Sequence, residues 1–297
     1  MNTAMETVGA GQGSGPRIIL YCVAPDAYRL LRAWADRRGY RFRLIVTTPG
    51  PARARNPMYR EIIAEAPPEQ DILVTTGMRR IAPLLATLNP DLILSYTLPY
   101  RIPPEVTALP RHGAVNLHPA PLPAYRGPNP ARMIYNGEST LGVTLHRTAE
   151  DFDTGAILSQ HVAPMPDDVS PDTVLALWSD LAMKTLDEGV ARALTDEPGT
   201  PQDSTRASYA ASFTPEEMWL DWHLPAAVLQ RRATALNLFV PQARAWLDGR
   251  PYLVEQLTSL PDTSSRAQPG TVLERSGNRL QVQTAAGIAQ LTIGTLP

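Results

Sequence analysis

One cysteine, Cys22, stands in a chain of 297 residues. That excludes an internal disulfide framework and any cysteine-cluster metal site. No apolar run reaches the ~18 residues needed to span a bilayer as a helix; the strongest, residues 18–24, is strand-sized. Residues 1–16 are small and polar and lack the apolar segment of a secretory signal, so a flexible leader and a cytoplasmic location are expected. Charge is scarce at 19% of residues, and Lys184 is the single lysine among 27 basic side chains. The net charge is −2, with 19 basic against 22 acidic residues over 1–205 and 8 against 7 over 206–297. Neither part is a strongly basic nucleic-acid-binding domain.

What is present suits a globular chain. The length is that of about two domains, and the 43% hydrophobic content allows at least one sizeable core. The 30 prolines are scattered and mark turns rather than a low-complexity tract. Short β-branched runs at 18–23, 42–47, 72–75, 91–96, 114–118, 142–148 and 157–162 alternate with helical stretches at 26–38 and 78–88. A longer helix is expected from Pro171 to about 193, with Ser170 as its N-cap. This pattern predicts an α/β fold with a Rossmann-like, mostly parallel sheet and helices on both faces. Residues 198–208 have the composition of a linker. Beyond them a helix at 225–236 precedes short strands separated by hairpin-type turns, which predicts a small, open β-barrel-like C-terminal domain. The expected domains are a leader over 1–16, a catalytic domain over 17–204 and a β-domain over 205–297.

Glycines 9, 11, 13 and 15 precede a strand instead of following one, so they do not make a dinucleotide-binding loop. Arg37, Arg38, Arg41, Arg43, Arg53, Arg55 and Arg60 come without an acid until Glu61. They form either a solvated face or a site for a phosphate-bearing ligand, which arginine forks suit. The informative stretch runs from Asn116 through Gly127. Asn116 and His118 are two apart on a predicted strand and share a face, and in an open α/β sheet ligands sit beyond the strands' carboxyl ends. Asp153 lies on a later loop; it is either a turn residue or the third member of an acid/base trio with Asn116 and His118. Asp151 and Asp153 lack a further ligand set, so no metal site is expected.

The ordered set Asn116-Leu117-His118-Pro119, Tyr125-Arg126-Gly127, Asn136-Gly137-Glu138, Gly142-Val143-Thr144 and Asp153-Thr154-Gly155 resembles the folate-dependent formyltransferases. Trp222-His223-Leu224-Pro225 and Gln268-Pro269-Gly270-Thr271 are similar to the C-terminal β-domain of that family's methionyl-tRNA and UDP-amino-arabinose branches. The resemblance implies Asn116, His118 and Asp153 as the catalytic trio and 10-formyltetrahydrofolate as co-substrate. It places the pteridine against the backbone of Tyr100, Arg101 and Ile102, with Ala149, Glu150, Asp151 and Phe152 as the other wall. Tyr125, Arg126, Arg53 and Arg55 become the expected acceptor contacts.

The chain departs from the family at two points. Ala120-Pro121-Leu122-Pro123 replaces a serine-containing loop, and Pro128 stands where the amino-arabinose branch has another arginine. The expected reaction is formyl transfer to a primary amine, first of a nucleotide-linked amino sugar and second of methionyl-tRNA. The segment 47–57 is short for the RNA-contacting insert of the tRNA branch, and the C-terminal part, at +1, offers little phosphate neutralisation. A 10-formyltetrahydrofolate hydrolase and a non-catalytic folate- or RNA-binding module remain the alternatives of another class. Of the remaining histidines, His146 lies on a predicted strand with a structural role expected, and His112 and His161 are expected at the surface. Cys22 is expected to be an inert core residue.

Overall fold

The computed structural model describes residues 15–49, 58–261 and 266–296. Arg53, Arg55 and nearly all of the expected leader lie outside the described residues. The chain forms two compact units: residues 1–117 with 190–198, and residues 118–189 with 199–297.

The first unit is built on parallel strands. β1 (Ile18–Cys22) is buried at every position, as a strand covered on both faces must be. It pairs in parallel with β2 (Phe42–Thr47) and with β4 (Leu92–Tyr96); β2 pairs with β3 (Ile72–Val74), and β4 with β5 (Ala114–His118). The resulting order is β3-β2-β1-β4-β5. Helix α1 (Pro25–Arg38) begins with Pro25, whose fixed φ suits the first turn. It stops at Gly39, in the left-handed conformation at φ 67°, whose N–H donates to the Ala35 and Asp36 carbonyls. Its buried face of Tyr28, Leu31 and Trp34 closes one side of the core. On another cluster, Ile19, Tyr21, Val46 and Ile93 pack with Leu85, Ile102 and Val106.

The helix expected over 78–88 divides into a 3-10 turn (Met78–Ile81) and α3 (Ala82–Thr87), since Pro83 withholds an amide N–H at that junction. Three short helices carried too few residues for a periodic signal: α2 (Tyr59–Glu65), α4 (Pro104–Thr107) and α5 (Arg132–Asn136).

The second unit holds β6 (Thr140–Arg147) and β7 (Ile157–Pro164), an antiparallel pair. Most of α6 (Pro171–Leu194) also belongs to it; Ser170 Oγ accepts from the Thr173 N–H, as its expected cap role requires. Helix α7 (Ala226–Asn237) precedes the C-terminal strands. These are β8 (Arg244–Leu247), β9 (Arg250–Leu260), β10 (Val272–Ser276), β11 (Arg279–Gln283) and β12 (Ile288–Gly294). They form an antiparallel sheet in the order β10-β11-β12-β9-β8. The α/β architecture and the C-terminal half-barrel expected from the sequence are both present. Among the described residues no helix is long and apolar enough to cross a membrane.

Candidate active site

The Asp153 carboxylate is the centre of the site. It sits on the turn between β6 and β7 with its side chain 10% exposed and with backbone φ at 58°, a left-handed conformation that aspartate tolerates better than most residues. Its Oδ2 accepts the Gly127 N–H at 2.9 Å. Its Oδ1 lies 3.5 Å from His118 Nδ1 and 3.5 Å from His146 Nε2. The expected partner His118 is therefore present, and a second imidazole stands beside it.

Both rings are buried and each is tied by its other nitrogen. His118, 5% exposed at the end of β5, has Nε2 2.8 Å from the Tyr125 carbonyl. His146, 2% exposed on β6, has Nδ1 2.8 Å from the Arg147 carbonyl. A carbonyl can only accept, so these two nitrogens carry protons. Burial depresses the His118 pKa, partly against the charge of Asp153, which pulls it up; the neighbouring His146 adds to the depression. Burial would raise the Asp153 pKa, but the hydrogen bond from His146, the charge of His118 and the Gly127 N–H outweigh it and hold the carboxyl below its usual range.

Gln202 holds the frame around this group. Its Nε2 donates to the Asp153 and Gly155 carbonyls at 2.8 and 2.7 Å, and its Oε1 accepts from Arg126 Nε and Nη2 at 3.1 and 2.7 Å. The segment expected to be a linker thus serves as a strap. Ser208 extends it: its Oγ accepts the Tyr125 N–H at 2.9 Å and its carbonyl accepts the Arg126 N–H at 3.0 Å. The preceding turn is fixed from β6 and β7. Thr144 Oγ1 donates to the Ala120 carbonyl at 2.7 Å, and Gln160 Nε2 donates to the Leu122 carbonyl at 2.8 Å. The stiff Ala120-Pro121-Leu122-Pro123 run, which carries no hydroxyl of its own, is held through the Ala120 and Leu122 carbonyls and through the Leu122 N–H, which donates to Thr144 Oγ1 at 3.2 Å.

Asn116 lies on β5, two residues before His118. Its Oδ1 accepts from Ser95 Oγ at 2.9 Å, which turns the amide nitrogen to the opposite end. Tyr125 donates its hydroxyl hydrogen to Glu138 and accepts from Asn136 Nδ2. The folate positions implied by resemblance lie after β4 and after β6. Tyr100 and Phe152 are 43% and 46% exposed while Ile102 is buried; Arg101, Ala149, Glu150 and Asp151 are exposed. The two histidines expected at the surface are both partly covered. The His112 side chain is 10% exposed, with Nδ1 2.7 Å from the exposed Asp196 carboxylate, and that of His161 is 31% exposed beside Thr185 and Glu188. Among the described residues no group of three or more His, Cys, Asp or Glu side chains is placed to hold a metal ion.

Sequence reasoning missed His146 as a neighbour of Asp153, and it missed Gln202 and Ser208 altogether. All six residues of β6 from Leu141 to His146 are buried, so no alternation told which face His146 occupies. Gln202 sits between Pro201 and Asp203 in a stretch whose composition signals only a loop.

A mainly parallel α/β unit, an additional antiparallel C-terminal sheet and a buried His–Asp pair where a strand ends define the class: an α/β protein with an added antiparallel β-sheet. The comparisons specify it further. The formyl transferase family matches residues 70–188, and the formyl transferase C-terminal domain matches residues 212–296. The chain belongs to the formyl transferase family. It is 33% identical over 212 residues to a methionyl-tRNA formyltransferase of Roseiflexus castenholzii, an alignment covering 70% of this chain and 66% of that relative's length. In fold it is similar to HypX from Aquifex aeolicus in complex with tetrahydrofolic acid, with a TM-score of 0.68 and 20% identity over 94% of this chain and 44% of that one. It is similar also to an N-formyltransferase from Helicobacter canadensis in complex with folinic acid and dTDP-3-aminofucose. There the TM-score is 0.64 and the identity 11%, over 94% of this chain and 99% of that one.

Proposed function

We propose that the protein transfers a formyl group from 10-formyltetrahydrofolate to a primary amine, and that the amine belongs to a nucleotide-linked amino sugar. The observation that carries the reaction is the buried, ionised Asp153 facing the His118 ring where β5 ends. The amine nitrogen attacks the formyl carbon. Asn116 Nδ2 and the His118 ring donate hydrogen bonds to the oxyanion of the tetrahedral intermediate, support often worth a few kcal/mol. In the free state His118 Nε2–H donates to the Tyr125 carbonyl, and it is shared with the oxyanion when substrate enters. As the new C–N bond forms, Asp153 accepts the amine proton. As the bond between the formyl carbon and folate N10 breaks, that proton passes to N10. Folate contacts are assigned to the backbone of Tyr100, Arg101 and Ile102 and, separately, to Ala149, Glu150, Asp151 and Phe152. Acceptor contacts are assigned to Tyr125 and Arg126, with Arg53 and Arg55 for a diphosphate.

The near-neutral C-terminal part and the short segment 47–57 favour a small nucleotide-linked acceptor over RNA. Methionyl-tRNA is the second reading, favoured by the 33% identity to a methionyl-tRNA formyltransferase. A folate-release assay decides between them, with UDP- and dTDP-linked amino sugars, methionyl-tRNA, free amino acids and no acceptor. Turnover with a sugar nucleotide alone is the expected result. Turnover with methionyl-tRNA reverses the choice of acceptor, and turnover without acceptor makes the protein a hydrolase. Substituting His118→Ala should lower turnover by ~10²-fold or more while folate still binds; full activity in that variant would remove the mechanism.

A further inference from the structure

A primary amide offers two N–H donors and an oxygen with two lone pairs, and Gln202 uses all of them. Nε2 donates to the Asp153 and Gly155 carbonyls, and Oε1 accepts from both Nε and Nη2 of Arg126. The amide cannot be reversed, because a carbonyl does not donate and a guanidinium does not accept. Arg126 is thus gripped along the Nε–Nη2 edge of its guanidinium. Its backbone is gripped as well: the Arg126 N–H donates to the Ser208 carbonyl, and the Arg126 carbonyl accepts the Ala210 N–H at 2.6 Å. An arginine has five N–H groups, and the three that do not face Gln202 are left over. Among the described residues these three have no hydrogen-bond partner, and no carboxylate pairs with the half-buried charge. Arg132 shows the opposite case, an arginine whose role is structural. Its Nη1 and Nη2 reach the Glu217 carboxylate, and its Nε and Nη2 reach the Ala211 and Ser212 carbonyls, so its charge and every nitrogen are satisfied.

We infer that the open Nη1–Nη2 edge of Arg126 is a fork for a phosphate group of the acceptor, and that Gln202 is the positioning residue that holds the fork. A guanidinium edge meets two oxygens of a phosphate at once, which a point charge cannot do. The place of the fork says which phosphate. Gly127, the next residue, donates its N–H to Asp153 Oδ2 at 2.9 Å, and Gln202 ties the same turn to the arginine. The anion therefore binds next to the turn whose carboxylate takes the amine proton. In a nucleotide-linked amino sugar the diphosphate is joined to the ring that carries the amine, and its inner phosphate lies only a few bonds away. A free amino sugar has no such anion and leaves the fork empty. Gln202 touches no substrate, since its hydrogen-bonding positions are all occupied; it acts by aiming Arg126. The inference deepens the sugar-nucleotide reading and rests on it for the carrier of the phosphate.

Binding is measured first, without turnover. Isothermal titration calorimetry of the full chain with UDP, dTDP and inorganic pyrophosphate should show binding of at least one, with circular dichroism establishing that each variant is folded. In Arg126→Gln the dissociation constant should rise ~10–100-fold, the range of a hydrogen-bonded charge. Arg126→Lys keeps the charge and loses the fork, and should still weaken binding by ~5-fold or more. Gln202→Leu leaves the arginine present but unaimed, for a rise of roughly 3–10-fold that disappears when Arg126 is already replaced by Gln. Unsubstituted protein that binds none of the three probes overturns the inference. So does Arg126→Gln or Arg126→Lys with undiminished affinity. The kinetic arm uses a UDP- or dTDP-linked amino sugar and the phosphate-free methyl glycoside of the same sugar. Arg126→Gln should raise KM for the nucleotide-linked sugar ~10-fold or more, leave KM for the formyl donor within about twofold, and leave the methyl glycoside unaffected. A loss equal for both acceptors marks a structural effect and overturns it. An Arg126 effect confined to methionyl-tRNA, with no diphosphate bound, does the same. Should no acceptor be formylated while diphosphate binding depends on Arg126, the functional reading falls and the fork stands.

Discussion

A β-carbon built on Gly155 falls 1.7 Å from the Arg147 carbonyl oxygen, half of the 3.4 Å at which ordinary contact begins. Both groups are backbone, so Gly155→Ala cannot be relieved by turning a side chain. The same carbonyl is the partner of His146 Nδ1, and the neighbouring Arg147 N–H donates to the Ala156 carbonyl at 2.8 Å. Relieving the clash therefore pulls the turn that carries Asp153 away from β6. Backbone strain of about 1–3 kcal/mol and one buried hydrogen bond worth about 1 kcal/mol give a loss of roughly 2–4 kcal/mol. For a chain of this size that lowers the Tm by about 5–15 °C, read by circular dichroism melting. Formyl transfer should fall by at least ~10²-fold, since a displacement near 1 Å costs that much in positioned acid–base chemistry. A Tm within ~1 °C of the unsubstituted protein, with unchanged turnover, would refute the account of how this turn is held.

Three further expectations come from the same geometry. Gln202→Leu removes both donors to the Asp153 and Gly155 carbonyls and the acceptor for Arg126; it should cost about 2–4 kcal/mol in urea unfolding, and a loss under ~0.5 kcal/mol would speak against the strap. Stability should also fall in two steps on acidification. The folded pKa of His118 is depressed, so its contribution is complete above the unfolded value of about 6.5 and is lost as pH drops through the folded one. That of Asp153, also depressed, is complete above about 3.9 and is lost at still lower pH. Melting curves of His118→Gln should lack the upper step and keep the lower; an unaltered pH profile would contradict the assignment. Finally, Cys22 is fully buried and burial pushes its thiol up to about 12, so a thiol reagent at pH 8 should label it only after denaturation.

The strands were legible because β-branched, apolar runs bounded by turns hardly admit another reading: 42–47 and 114–118 form with the expected limits. Asn116, His118 and Asp153 were legible as a motif in order, and a strand's alternation puts the first two on one face. His146 was written in the same sequence but its direction was not, because β6 is buried on both sides and polarity no longer reports which way a side chain turns. Gln202 left no trace for a different reason. Its role depends on carbonyls 47 and 49 residues away in the chain, and such a partner follows from tertiary folding, not from local pattern. The helix over 78–88 failed for a local cause, Pro83, whose ring sets the break between the 3-10 turn and α3.

The strap formed by residues 202–210 has a consequence for how this chain tolerates change. Ser204, Thr205 and Arg206 are exposed and their side chains are open to wide substitution, yet Gln202 on one side must meet the Asp153 and Gly155 carbonyls and Ser208 on the other the Tyr125 N–H, fixed points on two different turns. The stretch behaves as a spacer of set length: its composition is free and its residue count is not. Libraries that randomise 204–206 should retain folded, competent members. Insertion or deletion of a single residue there would take one anchor off its turn, however conservative the residues look.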